Sequence, residues 1–509
     1  MRVHLLHPDR DFDRLQAAPG HAAAVLEDLG ADALLSAMAG GDEYLLGMAR
    51  RVLVAMPGAD PASIAHRQAV LRDCLDFRGE VRALYDLCVE ATDRRRRGLF
   101  GLLAHHPGSI LYEAVEAMGM LADAHDRLRA FAERNGPRLR SAGLQALCAL
   151  IRAELSADYL VAVRGHLAEL RFRRGQLLSA RLGERCEGIA FALHRVPARR
   201  STWQDFLDWL LRRPPRGLVV EIAPRDEAGM RALGELKDRG INETANALAQ
   251  AVDHVTEFFE QLRAELAWYL AAVNLHDALA RAGSPIAFPE PHPAGSGRLR
   301  FEALGDAGLV LRRGGQVVGS DLEADGRRVV VVTGANQGGK STWLRGLGLA
   351  QLMMQAGLEV SARAFSAEVC SGVFTHFRRE EDAAMKQGKL DEELARLSTL
   401  VEALRPGALL LLNESFSATN EREGSEIARQ VVTALAARAV KVAFVTHLHA
   451  FAHDLAERGR RDATFLRAER RPDGTRTFRI VEGRPLRTSF GEDVYREVFQ
   501  DDREKARAV

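Results

Sequence analysis

The sequence predicts an α + α/β multidomain chain, a long-helix half followed by an α/β nucleotide domain. Three observations point there. The 509 residues exceed what one compact core holds, so roughly two to four domains are expected. Apolar residues recur every three or four positions through about 20–285, then give way to short apolar runs alternating with helical patterns. One of those runs, Val329-Val-Val-Val-Thr333, leads directly into a glycine-rich loop and then into a helical pattern.

In the first half, Leu26, Leu29, Leu34, Leu35, Met38, Leu45, Leu46 and Met48 keep helical spacing. Asp60-Pro61 reads as an N-cap with proline at the first helical position, opening a helix through Ile64, Val70, Leu71 and Leu75. Residues 110–176 and 226–282 each read as one long amphipathic helix. The stretch 183–225 differs. It holds the β-like runs Ile189–Leu193 and Gly217–Ala223 and the prolines Pro197, Pro214, Pro215 and Pro224. A small strand-bearing insert at the tip of two long antiparallel helices fits this order. Pro285, Pro289, Pro291, Pro293 and Gly295-Ser-Gly297 read as a linker, after which strands are expected at 308–312, 328–333, 408–413 and 440–446. The expected domains are a helical core at 1–120, lever helices with the insert at 121–285, and a nucleotide domain at 286–509.

Charge is nearly balanced, at a formal net +1, which neither demands nor excludes a nucleic-acid partner. Cys74, Cys88, Cys148, Cys186 and Cys370 lack CxxC spacing, so reduced thiols are expected rather than a disulfide frame or a zinc site. The N-terminus has no secretory h-region, and no run reaches the roughly 18 apolar residues of a membrane span, so a cytoplasmic location is expected.

The loop Gly334-Ala335-Asn336-Gln337-Gly338-Gly339-Lys340-Ser341-Thr342 has the form G-x-x-x-x-G-K-[ST]. Between a strand and the helical pattern of Trp343, Leu344, Leu347 and Leu349, it makes a phosphate cradle: loop N–H groups and the helix N-terminus face an anion. Glycines at 334, 338 and 339 let backbone approach it. Lys340 reaches the β- and γ-phosphates of ATP, and Ser341 ligates Mg2+. A second strand, Leu409–Leu412, ends in Asn413-Glu414. Glu414 is placed as general base. Asn413 stands where an aspartate would meet magnesium and offers only a neutral carbonyl, so weaker metal binding is expected. After Val442–Val445 comes Thr446-His447, and His447 is the candidate γ-phosphate sensor, although histidine after a strand is also commonly structural.

In this order the motifs resemble the MutS family of DNA mismatch-repair ATPases, where proline and methionine more often occupy the positions of Ala335 and Gln337. Asn413-Glu-Ser-Phe-Ser-Ala-Thr-Asn-Glu-Arg-Glu-Gly424 is similar to the family's second nucleotide motif: Thr419 and Gly424 match, and Glu423 stands for an aspartate. Thr446-His447, Ser489-Phe490-Gly491, and Arg67-Gln68 with Leu71-Arg72 add to the match. Phe416, Thr419, Asn420, Glu421 and Arg422 look most like the shorter MutS-like subgroup. The resemblance is strong over about 300–495 and fainter over 20–285. It implies an ABC-like P-loop ATPase that forms a homodimer with two composite ATP sites and helical levers that embrace DNA. The trans-site stretch implied is Gly388–Glu393, in which Glu393 fits but Gly388 occupies the serine position. With Asn413, this predicts weak hydrolysis. With the helical core beginning near residue 20, the mismatch-reading and connector domains of full-length relatives are not expected here, nor is mismatch recognition by that mechanism. Phe258-Phe259-Glu260 has the letters of the mismatch wedge, but it is read as helix packing.

Basic clusters mark the expected DNA contacts, mainly to duplex backbone. Arg199, Arg200, Arg212, Arg213 and Arg216 fall in the insert, where a clamp would touch the duplex. Arg94–Arg97 equally fits an inter-helix turn, and Arg171, Arg173 and Arg174 a solvated face. Trp203 and Trp209, six apart, fit packing better than base stacking. Two functions stay open: a hydrolysing, dimeric, nucleotide-gated clamp in mismatch repair or related repair and recombination, or an ATP-switched DNA-binding scaffold with vestigial hydrolysis. A transporter or chromosome-organising ATPase fits less well, because the helical lever is soluble and short.

Overall fold

A computed structural model describes residues 2–56, 60–97, 106–173, 175–185, 188–196, 221–223, 225–379, 388–471 and 474–486, with side chains of 94–97 outside the description. The chain divides into two compact units. One comprises Met1–Val3, Arg82–Leu139 and Gln145–Arg263; the other comprises His4–Val81, Arg140–Leu144 and Ala264–Val509.

The first unit is mainly helical. Glu227–Arg281 forms one 55-residue helix that enters this unit as far as Arg263. Phe258 and Phe259 are buried in it, and His125 stacks on Phe259 with ring centroids 5.4 Å apart. This is packing, as the sequence indicates. The expected helix over 110–176 is instead several pieces, Pro107–Asn135, a short 3-10 turn Gly136–Arg138, Ala142–Glu154 and Ala157–Leu170. Pro137 cannot donate a helical N–H, and Ser156 starts a new helix by accepting from Tyr159 N. Strands β1 (Leu177–Leu182) and β2 (Gly188–His194) form an antiparallel pair with an irregularity between Ser179 and Arg181. The predicted run Ile189–Leu193 lies in β2. Gly217–Val220, Trp203 and Trp209 lie outside the described residues.

The second unit carries two further sheets. In Pro61–Asp76 the Asp60 side chain accepts from Ser63 N, so the cap and Pro61 sit where the sequence places them. The linker expected over 285–297 contains β3 (Glu290–His292). It is an edge strand, parallel to β7 (Ala364–Glu368), where Pro291 removes no ladder donor that a second neighbour needs. β4 (Leu299–Leu304) and β5 (Ser320–Glu323) complete the order β3-β7-β4-β5. The strand expected at 308–312 is a helix, Ala307–Arg313. Asp306 caps it by accepting from Leu309 N, and Gly314 in left-handed conformation closes it. These end signals override the apolar Leu-Val-Leu run.

The largest sheet has the order β12-β11-β6-β10-β9-β8: Arg476–Glu482, Ala463–Arg470, Val329–Thr333, Lys441–Val445, Leu409–Asn413 and Val373–Phe377. All its pairings are parallel except β11–β12. Its central strands are uninterrupted apolar runs because both faces are covered. Val329, Val331, Leu410, Leu412, Val442 and Phe444 join one core cluster with residues of the helices Lys389–Ala403, Glu421–Ala437 and His449–Glu457. Gly348 of the helix Lys340–Ala356 lies against Leu411, a residue of alternate parity in β9.

Candidate functional site

The turn after β6 runs into the helix Lys340–Ala356, and its glycines answer first to their own chain. A Cβ on Gly334 would lie 2.9 Å from Ala468 N, one on Gly338 2.7 Å from Ala468 Cβ, and one on Gly339 3.1 Å from Phe478 O. Gly334 and Gly339 also have φ of +107° and +89°, backbone that L side chains rarely adopt. The loop is therefore pressed onto β11 and β12. Ala335 and Gly338 are buried, whereas Asn336 and Gln337 are exposed and line the cavity with Thr342.

Lys340 is 5% exposed, and its ammonium donates to Gly334 O (2.8 Å) and Ala335 O (2.9 Å). Burial lowers its pKa, and Glu414 opposes that shift. Ser341 Oγ donates to Asn413 Oδ1 at 2.9 Å, which joins the glycine loop to the end of β9. Glu414 N donates to Val445 O (2.8 Å) and Thr446 N to Val332 O (3.1 Å). The ends of β6, β9 and β10 are thus cross-linked at one edge, the carboxyl edge at which open α/β sheets place their ligands.

A cavity of about 730 Å3 opens there. Asn336 to Trp343 line it, together with Glu414 and His447. The residue types suit a nucleoside triphosphate with a hard cation: a buried ammonium, a helix N-terminus, and two neutral oxygens, Ser341 Oγ and Asn413 Oδ1, within one cation's reach. Among the described residues no group of three or more His, Cys, Asp or Glu could hold a metal by itself. The protein oxygens therefore suit a cation that takes its other ligands from phosphate and water.

Sequence reasoning missed several neighbours. Arg378, directly after β8, lines the cavity with its guanidinium 4.0 Å from Glu414. Arg476 donates to Gln337 Oε1 at 2.7 Å, and Phe478 lines the cavity from β12. Val317, Val318 and Leu309 form an apolar wall. Glu421 accepts from His449 N (3.1 Å) and Ala450 N (3.3 Å). No local motif marks these residues. They meet the loop only because β8, β12 and the segment before β5 converge on it.

The remaining predicted positions are distributed differently. Gly388 is an exposed N-cap of Lys389–Ala403. Glu393, in that helix, faces inward at 8% exposure and accepts from Phe416 N at 2.7 Å. Thr419 donates to Glu423 Oε2 at 2.5 Å, in the turn that Asn420 caps. Arg199, Arg200, Arg212, Arg213, Arg216, Arg174, Cys186 and Ser489–Gly491 lie outside the described residues. Arg94–Arg97 end the helix Arg78–Arg97, and Arg171 pairs with Glu116 at 2.9 Å. The four described cysteines are free and buried. Among the described residues no helix is long and apolar enough to cross a membrane.

Fold and site together define a mixed helical and α/β protein with a glycine-rich loop at the carboxyl edge of its main sheet. The family description MutS2 N-terminal domain matches residues 59–282, and MutS domain V matches residues 330–502. The chain belongs to the MutS family. It is 28% identical over 287 residues to DNA mismatch repair protein MutS 2 of Halobacterium salinarum, across 56% of this chain and 33% of that protein. It is 34% identical over 134 residues to DNA mismatch repair protein MutS of Granulibacter bethesdensis (26% and 14%), and 34% identical over 140 residues to that of Methanosarcina mazei (26% and 16%). The chain thus spans a third or less of the length of these relatives.

Proposed function

We propose that this protein binds ATP with Mg2+ at the loop Gly334–Thr342, hydrolyses it, and uses the cycle to gate a dimeric clamp on duplex DNA, in mismatch repair or related repair and recombination. The observation that carries the reading is the 2.9 Å contact between Ser341 Oγ and Asn413 Oδ1, in a cavity shared with Lys340, Glu414 and His447. Loop amides and Lys340 bind phosphate, Ser341 and Asn413 offer oxygens to the metal, Glu414 takes a proton from water, and His447 senses the γ-phosphate. In this reading residues 286–509 act as an ABC-like P-loop ATPase domain. Residues 1–120 act as the helical core and 121–285 as its lever with a clamp-like insert, in a cytoplasmic protein. Gly388 and Thr419 face the partner's nucleotide, and Arg199, Arg200, Arg212, Arg213 and Arg216 meet DNA phosphates. The names of the relatives, all DNA mismatch repair proteins, support the pathway class.

Asn413 favours a second reading, an ATP-switched scaffold with vestigial hydrolysis, because a neutral carbonyl holds magnesium less firmly than a carboxylate. Steady-state turnover of wild type and Glu414→Gln with Mg2+ separates the two. A rate that the substitution abolishes supports the enzyme, and equal negligible rates support the scaffold. Gel shifts on homoduplex, mismatched and branched DNA, with and without ATP, test the DNA role. Absence of any nucleotide-dependent binding or self-association would overturn both readings.

A further inference from the structure

The turn that carries Glu414 is bent in a way side chains resist. Glu414 has φ of 54° and Phe416 φ of 65°, both in the left-handed region, and neither is glycine. Ser415, between them, is fully buried. Such a turn persists only where its surroundings over-determine it.

Three contacts do so. The Ser415 hydroxyl donates to His376 O at 2.8 Å and lies 2.8 Å from His376 Nδ1. The Phe416 ring is buried and packs edge-on against Phe444, centroids 6.2 Å apart. The Phe416 N–H goes to the Glu393 carboxylate, at 2.7 Å. The first two come from neighbouring strands of the same sheet. The third comes from a different element, the helix Lys389–Ala403, and from its second turn. It is also the shortest of the three hydrogen-bonding distances, a backbone donor to a side-chain oxygen in a buried place.

We propose that Glu393 is a positioning residue for Glu414: its carboxylate ties the helix that begins after Gly388 to the strained turn and so sets where the Glu414 side chain points. The inference rests on the reading of Glu414 as general base. It assigns Glu393 a role within its own chain, whereas the sequence reading set it at a partner's site. A displacement at the start of this helix is carried to the base through one hydrogen bond, two residues along the chain from Glu414.

The test uses the full chain with Mg2+ and ATP, measuring kcat, KM and thermal melting for wild type, Glu414→Gln, Glu393→Asp and Glu393→Gln. Gln keeps an oxygen at the same reach to accept the Phe416 N–H, whereas Asp keeps the charge but falls one methylene short. The expected result is a kcat about 100-fold lower for Glu393→Asp, with KM within about twofold, and kcat near wild type for Glu393→Gln. Unchanged kcat in Glu393→Asp, or equal losses in both variants, would overturn the proposal while leaving Glu414 as base. Wild-type turnover that Glu414→Gln does not reduce overturns the base assignment itself, and the positioning role with it. If Glu393→Asp fails to melt cooperatively, Glu393→Ala takes its place: a kcat loss in Glu393→Ala with Glu393→Gln near wild type supports the tie, and unchanged kcat in Glu393→Ala, or equal losses in both, overturns it.

Discussion

All five residues of β6 are buried, while none of the seven in β2 is. β6 has hydrogen-bonded strands on both sides and lies in a sheet with cores on both faces; β2 pairs with β1 alone. Burial from every side leaves a strand no alternative register, so the chain ends it delivers are held to within hydrogen-bond tolerance. That is how Ser341 and Asn413, 72 residues apart, meet at 2.9 Å. The hairpin has no such constraint: Leu182 is 77% exposed and Ile189 45%. An isolated two-stranded pair is marginal by itself, so its apolar residues do not define one geometry.

The largest expected effect breaks the sheet side of this contrast at its charged centre. Lys340→Ala should weaken ATP binding about 100-fold, ~2–3 kcal/mol for charge-assisted contacts, measured by equilibrium titration. Retained affinity would mean that the buried ammonium serves only the loop carbonyls it touches in this structure. Next comes Gly424→Ala, whose Cβ would stand 2.3 Å from Phe416 O. It should cost about 1–3 kcal/mol and lower the melting temperature, because the obstacle is backbone in a packed region.

Two experiments sharpen the comparison instead. Asn413→Asp adds a charge where the proposed function sets the metal and should lower the Mg2+ concentration needed for nucleotide binding about tenfold, read by titration at fixed ATP. Acid should loosen both units. Burial, with Arg396 nearby, pushes His376 at β8 down to about 4, and burial does the same to His125 in the helical unit. The unfolded chain takes up these protons near 6.5 and the folded chain only near 4. Stability is therefore complete above about 6.5 and declines as pH falls toward 4, which urea titrations followed by circular dichroism would register. The smallest effect belongs to the hairpin. Leu182→Ser should change unfolding free energy by less than about 0.5 kcal/mol, and a larger loss would show that β1 is covered in solution.

Much of the candidate site was legible because its residue patterns are local. A lysine after paired glycines, a carboxylate at the end of an apolar run, and a Thr-His after another are each patterns within about ten residues. Asp60 with Pro61 was legible for the same reason. The strand expected at 308–312 failed because Leu309, Val310 and Leu311 suit a strand as well as a helix, and the decisive signals, Asp306 and Gly314, sit outside the run. Arg378, Phe478 and the inward turn of Glu393 had no local signature. Each depends on which strand lies beside which.

The sequence by itself determined where the glycine loop lies, which residues carry charge around it, and where helices such as Pro61–Asp76 begin, since caps, prolines and alternating apolar residues act over a few bonds. Only the tertiary structure decided the order β8-β9-β10-β6-β11, the meeting of Ser341 with Asn413, and the hold of Glu393 on the Glu414 turn. Those depend on burying distant apolar faces against one another, and the free energy of that burial belongs to the assembled core rather than to any segment of it.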